Sequence, residues 1–459
     1  MKINDDLRPA DLRPKIEKLW HHSAPKILSL LKDEVAGAGT PVFTIKGKYT
    51  ARGWTEWTQG FVYGSAILQF DATGDDRFLE LGRSRTIERM AHHITHIGVH
   101  DHGFNNVSTY GNLWRLMREG RIPLNERERE FYELALKCSG AVQATRWTLI
   151  TSGEGFIYSF NGPHSLFADT IRSLRSLALS HQLGHVLMGE KDEQISLVRR
   201  LVEHARTTAK WNVYYGAGRD AYDLRGRTAH ESLFNVVDGS YRCPSTQQGY
   251  SAFSTWTRGL AWIMLGYAEQ LEWIAMRPDL ELEKLGGREA IEAVMLNAAR
   301  ATCDFYIANT PTDGIPYWDT GAPGLVYMGN YLDRPADPFN DHEPVDSSAA
   351  AIGAQGLLRL GRYLHVKGQS ADGMRYLQAG LTICGTLFDA PYVSTDLDHQ
   401  GLILHSVYHR PNGWDHIPPG RKVPCGESSQ WGDYHARELA LYVQRLYEAK
   451  PYLTFFGQS

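Results

Sequence analysis

Two aspartates stand where a loop gives way to an apolar helical run: Asp101 in HDHGF and Asp169 in ADTIRSL. A pair of carboxylates is the simplest apparatus for moving protons. A lone aspartate in a first helical turn ordinarily does no more than complement the helix dipole. Asp169, however, is flanked by Phe167, Ala168, Ile171 and Leu174. An apolar setting with a second carboxylate nearby raises a carboxyl pKa and keeps a proton on it, the state a general acid needs near neutral pH.

A second concentration of chemistry is QQGYSAFSTWTRGLAW, residues 247–262. Trp256 and Trp262 offer flat apolar faces, while Gln248 and Arg258 offer amide and guanidinium donors. A sugar ring carrying a carboxylate needs that combination of a stacking face and fork-shaped donors. Further clusters of aromatic or hydroxyl residues occur in GWTEWTQGF (Trp54, Trp57, Gly60), IPYWDTGAP, EPVDSSAAAI and the run from ILHSVYHRPNG to GESSQWGDYHARELAL. Each precedes a helix.

The histidines admit a metal reading, because His92, His96 and His100 are four residues apart and His102 follows. HExxH is absent and no supporting partners are evident, so neither a metal nor a cofactor is expected. His92, His93 and His96 read as ordinary surface or core residues.

Helices must carry these clusters. In residues 125–147, Asn125 is placed to cap with Glu128 three residues on, and Phe131, Leu134, Ala135, Cys138 and Val142 recur at helical spacing. Residues 288–307 place Ile291, Val294, Met295, Ala298, Ala301 and Phe305 on one face. A weak repeat around Gly74, Gly189 and Gly368 reads as helix, glycine, capping residue, helix. Repeated helical hairpins along most of the chain predict one toroidal or solenoidal domain. Ala350, Ala351, Ala354 and Gly356 suit a close-packed inner ring whose helix starts line one mouth.

The chain has 459 residues, 42% hydrophobic and 22% charged, with a formal net charge of −4. It lacks the long basic run of a nucleic-acid binder, an apolar signal segment and any stretch of membrane-spanning length. Its five cysteines are scattered and odd in number, as in reduced cytoplasmic proteins. No nucleic-acid or membrane partner is expected, and a cytoplasmic location is.

The motifs WTQGF, HDHGF, ADTIRSL, QQGYSAFSTWTRGLAW, PYWD, DSSAAAI and WGDYHARELAL, in that order, resemble glycoside hydrolase family 88, the unsaturated glucuronyl hydrolases. The resemblance implies an all-α, (α/α)6 barrel, with residues 1–50 as a helical extension packed on a catalytic barrel of residues 51–459. It implies no metal and a substrate bearing a 4,5-unsaturated uronic acid at the non-reducing end of a lyase product. Asp169 falls on the catalytic acid/base and Asp101 on its partner. Trp57, His100, His230, Gln248, Trp256, Arg258 and Trp262 fall on substrate-binding positions. Ser428 and Ser429 fall in a loop that tunes the neighbouring sugar and its sulfation. The chain departs from the family pattern at Ser173, where Asn is usual, at His102, where Leu is commoner, and in a longer segment at 324–345.

The resemblance implies hydration of a vinyl ether, with Asp169 protonated and Asp101 ionised. Two carboxylates would also serve hydrolysis of a saturated β-glucuronide. A sugar isomerase on a similar barrel would use histidines instead, with His100, His102, His230 and His405 available. A non-catalytic binding protein would account for the tryptophans but not for the paired aspartates.

Overall fold

A computed structural model describes residues 1–33, 39–52 and 56–457; Gly53, Trp54 and Thr55 of the GWTEWTQGF cluster lie outside them. Among the described residues, twelve long helical segments alternate between an outer and an inner position. The outer helices are α1 (Arg13–Lys32), α3 (Asp76–Arg89), α5 (Glu126–Thr145), α7 (Leu197–Trp211), α9 (Arg288–Ala308) and α11 (Ser370–Leu387). The inner ones are α2 (Gln59–Thr73), α4 (102–118, with a π turn at Val107–Gly111), α6 (170–182, two short runs), α8 (Thr257–Ile274), α10 (Ser347–Val366) and α12 (Gln430–Tyr447).

The inner helices pack in cyclic order, α2 on α4, α4 on α6, α6 on α8, α8 on α10, α10 on α12 and α12 back on α2. The chain is therefore a closed (α/α)6 toroid. Helix α1 packs on α2 and α12, which makes it one of the six outer helices. The hairpin Pro41–Ile45/Lys48–Ala51 adds a second tie, through a bridge from Phe43 to Ser429.

Inner helices are buried nearly all round, so they carry small residues where backbones meet. A Cβ on Gly356 of α10 would lie 2.8 Å from the backbone nitrogen of Leu265 on α8. Outer helices are amphipathic. On α9, Ile291, Met295, Ala298, Ala301 and Phe305 are buried as predicted, while Val294 is half-buried. On α5 the expected face is rotated. Tyr132, Ala135, Leu136 and Ser139 point inward, whereas Phe131 and Leu134 are exposed. Asn125 caps α5 by accepting from the Glu128 N–H.

Two of the three predicted helical hairpins form. Gly74 ends α2 in the left-handed region at φ 72° and Asp75 caps α3; Gly368 plays the same part before α11 at φ 80°. Gly189 does not. It follows a short strand, Leu187–Met188, that pairs with Gln194–Ile195. The left-handed glycine after α6 is Gly184, at φ 76°.

Small antiparallel sheets fill the connectors at the mouth. In one, Phe167 pairs with Glu231, and the Ala168 N–H donates to the His230 carbonyl at 2.8 Å. That register sets His230 beside Asp169.

Candidate active site

Six of the seven predicted clusters run into the starts of inner helices, while IPYWDTGAP lies in the connector between α9 and α10. Asp101 and Asp169 are the residues immediately before α4 and α6, in the N-cap position, yet neither side chain caps its helix. Asp346, in the same position on α10, does cap, accepting from the Ser348 and Ala349 N–H groups. The dipole-partner explanation therefore accounts for Asp346 and leaves the other two carboxylates pointed elsewhere.

They point into one cavity of about 620 Å³, counting its open mouth, and His100 and six other residues of the predicted set or its motif line it: Trp57, Gln247, Gln248, Trp256, Arg258 and Trp262. The Nε2 atom of His100 is 3.5 Å from Asp169 Oδ1 and 3.7 Å from Asp101 Oδ1. One ligand-type atom from each of the three residues lies within 4.8 Å of the others. All three are buried, with Asp169 the most open at 9%.

The charges distribute unexpectedly. Burial pushes Asp101 up to about 6, with the Asp169 charge adding to that rise and His100 opposing it. Burial also opposes ionisation of Asp169, but His100, at close range, outweighs it and holds that carboxyl below its ordinary value. Burial depresses His100 in turn, yet the two carboxylates more than compensate and its pKa is raised. Asp169 was expected to hold the proton beside an ionised Asp101. The directions run the other way: His100 favours the ionised form of Asp169, while burial favours the protonated form of Asp101.

His230 stands just behind the lining. Its Nδ1 accepts from the Gln247 and Gln248 backbone N–H groups at 3.0 and 3.3 Å, so the ring proton sits on Nε2. Burial lowers its pKa to about 4 and keeps it neutral.

Arg258 is placed otherwise than its sequence suggests. Nη1 donates to Asp346 Oδ2 (2.7 Å) and the Val407 carbonyl (2.6 Å); Nη2 donates to Gln248 Oε1 and the Tyr408 carbonyl, both at 2.8 Å. All four Nη hydrogens are committed within the protein. The guanidinium, layered between Trp256 and Trp431, braces the wall and is not an open fork.

Ser428 and Ser429 do not reach the cavity. Both are fully buried: Ser428 Oγ donates to the Ile403 carbonyl, and Ser429 caps α12. Arg421 and Lys422 bind the 324–345 segment, through the Phe339 carbonyl and Asp341. Ser173 ties α6 to the loop of Asp101. Its Oγ donates to the His100 carbonyl (2.6 Å) and accepts from the Gly103 N–H and Gln143 Nε2, both at 3.0 Å.

The histidine run at 92–102 does not converge. His93 bonds to Gln59 and Asn105, His102 to Ser139 and the His96 carbonyl. His405 accepts from the Gly426 N–H outside the cavity. Of the histidines suited to an isomerase, only His100 lines the site.

Tyr408, His409 and Trp414 complete the wall, with Val99 and Phe160. Sequence reasoning marked their segment but not these residues. The signal present was the aromatic spacing in VYHRPNGW.

No family model matches the chain. It is 26% identical over 399 residues to an unsaturated glucuronyl hydrolase of Bacillus sp. (strain GL1), covering 87% of this chain and 89% of that one. It is 24% identical over 393 residues to another from Formosa agariphila, covering 85% and 80%. The chain is a relative of the unsaturated glucuronyl hydrolases. The crystal structure of the Bacillus unsaturated glucuronyl hydrolase shares its fold, with a TM-score of 0.68 at 23% identity across 94% of this chain and 97% of that one. The likeness thus spans nearly the whole ring, including the helix starts and the loop at 408–414 that line the cavity.

Proposed function

We propose that the protein is a glycoside hydrolase that removes a 4,5-unsaturated uronic acid from the non-reducing end of lyase-generated oligosaccharides by hydrating its vinyl ether. The observation that carries this reading is the pair of non-capping aspartates facing each other in an indole-walled cavity, in a chain related to the unsaturated glucuronyl hydrolases.

The unsaturated ring lies against the indoles, among Trp57, Trp256 and Trp262. Asp169 delivers a proton to C4, and positive charge develops at C5 and the ring oxygen. A negative carboxylate nearby steadies that cation. Water then adds at C5 and gives its proton to Asp169. The resulting hemiketal opens and frees the neighbouring sugar. One residue acts as acid and then as base, so it must exchange protons near the working pH.

Close carboxylates also speak against one competing chemistry. Inverting hydrolysis of a saturated glucuronide needs roughly 6.5–9.5 Å between carboxyl groups to admit a water, and here one carboxylate oxygen of Asp101 and one of Asp169 lie within 4.8 Å of each other, with His100 Nε2 at 3.7 and 3.5 Å from an oxygen of each.

The test is consumption of a lyase-generated disaccharide, followed by loss of the absorbance of its conjugated double bond and by a product mass that includes one water. Folded Asp169→Asn is expected to lose at least about a thousandfold in kcat, the scale of a general acid–base contribution with its assisting groups. Turnover of the variant at the normal rate overturns the assignment. The five cysteines are unpaired, and no helix of the described residues is long and apolar enough to cross a membrane; these support the further reading that the enzyme works in the cytoplasm.

A further inference from the structure

We propose that His100 and Asp169 hold the catalytic proton as one unit, with His100 the positioning residue that stores it and Asp169 the group that delivers it. This rests on the hydratase-type reading above and deepens it.

The geometry is that of an imidazole wedged between two acids. His100 Nε2 faces Asp169 Oδ1 at 3.5 Å and Asp101 Oδ1 at 3.7 Å. Neither ring nitrogen of His100, nor Asp169 Oδ1, is otherwise hydrogen-bonded among the described residues, and His100 is 1% exposed. A buried imidazole with no structural bond of its own has nothing to hold but its neighbours' charge. Catalytic hydrogen bonds are often long in unliganded enzymes and tighten with substrate.

The ring is also held from both ends. Ser173 Oγ and Gln143 Nε2 donate to its carbonyl at 2.6 and 2.7 Å. Phe167 meets the ring edge-on at 5.5 Å and Phe160 stacks at 6.0 Å. Those apolar rings flank the imidazole, and the two carboxylates are its ionic partners among the described residues.

The charged and titratable groups around it are few. Asp101 and His102 come from the start of α4, Asp169 from α6, Arg146 from the end of α5, His204 from α7, and His230 from the strand Glu231–Phe234 and its approach. Burial keeps His102, His204 and His230 neutral, at about 4, 3 and 4. Arg146 is spent on the Ile97, Tyr158 and Ser159 carbonyls. The proton balance of His100 is therefore set by two carboxylates.

The step balances as follows. The incoming uronate adds negative charge and expels water, which favours the neutral pair. His100 Nε2–H passes its proton to Asp169 Oδ1. Asp169 gives it to C4, where the double-bond electrons form the new C–H bond. Water attacks C5, and its proton returns to Asp169 and from there to His100. The net change is the addition of one water.

The competent form is the one with a single proton on the pair, so the alkaline limb of kcat/KM reports loss of that proton from the pair as a whole. In His100→Gln, and likewise His100→Asn, a carboxyl alone must keep it. The alkaline limb of disaccharide consumption is expected to move toward acid by about one pH unit or more. A limb that stays in place while the rate merely falls overturns the proposal, because a structural role lowers the amplitude only. A second measurement is independent of activity. In histidine-labelled protein, with the His100 signal identified by its absence in His100→Asn, the ring titration is followed by NMR. In Asp169→Asn it is expected to fall by about one unit or more; an unchanged titration overturns the proposal. A wild type that leaves unsaturated disaccharides untouched refutes the proposed function, while the NMR result still decides whether the proton is shared.

Discussion

Arg258 and Asp346, 88 residues apart in sequence, meet at 2.7 Å with both side chains withdrawn from solvent. The aspartate also caps α10, and the arginine also holds Gln248 and the backbone of residues 407–408. One ion pair thus joins two inner helices and two walls of the cavity.

Removing one partner of a buried pair strands the other charge, at a cost of about 3–5 kcal/mol. Asp346→Ala is therefore expected to lower stability by that amount in denaturant unfolding. Arg258→Lys keeps the charge but brings three N–H groups to four acceptors and loses the planar fork. It is expected to fold, to melt lower, and to show a KM raised about tenfold as the Gln248 wall loosens; steady-state kinetics and thermal unfolding check both.

Asp101 carries a stability signature of its own. Its carboxyl is pushed up to about 6 by burial from an ordinary 3.8, so the folded state binds a proton more tightly than the unfolded state does. Folding is then favoured at low pH and penalised as pH rises from about 4 through 6, the penalty being complete above that window. The shift corresponds to roughly 2–3 kcal/mol. Asp101→Asn removes the ionisable group and is expected to be more stable than the wild type at pH 7, with the advantage shrinking as pH falls toward 4. Urea unfolding at several pH values measures it, and activity is expected to fall in the same variant.

Much of this site was legible because helix starts leave a trace in sequence. An apolar periodic run with aromatic and polar residues just before it predicts both a helix and which end faces the mouth. That is why Asp101, Asp169, Trp57, Trp256 and Trp262 were found. Spacing does not reveal which donors are already engaged. Arg258 is committed to carbonyls about 150 residues away, and Ser429 caps a helix where a substrate contact was expected. Tyr408, His409 and Trp414 sit on a loop without period, placed by Asp415, which accepts from the Tyr408 and His409 N–H groups. Gly189 failed for a related reason: a glycine after an apolar run fits a strand hairpin as well as a helix end.

Ser173 offers a test of the departure from the usual asparagine. Its hydroxyl satisfies one carbonyl and two donors in a fully buried seam. Ser173→Ala leaves the buried Gly103 N–H unpaired and is expected to cost about 1–3 kcal/mol. Ser173→Asn forces a larger amide into the same space and is expected to cost about 1–3 kcal/mol through overpacking. Thermal unfolding reads both. Both are also expected to lower kcat, because the His100 carbonyl loses one of its two anchors and is left with Gln143 Nε2.

Gly103 sets the distance on which the chemistry depends. A Cβ built there would lie 2.2 Å from the Ser173 carbonyl oxygen and 2.7 Å from its Cα, all backbone. Backbone atoms cannot swing aside as a flexible side chain does, so Gly103→Ala must push the start of α4 away from α6. Asp101 and Asp169 ride on those two starts, and His100 immediately precedes Asp101. The expected result is a folded protein less stable by about 1–3 kcal/mol with kcat lowered about a hundredfold, since displacement of reacting groups by about 1 Å costs that much. KM is expected to change little, because Trp256, Trp262 and Gln248 belong to a different loop and helix. Steady-state kinetics on an unsaturated disaccharide, beside a melting curve, separate the two effects; full kcat in a stably folded Gly103→Ala would show that the spacing of the two carboxylates is not what limits the reaction.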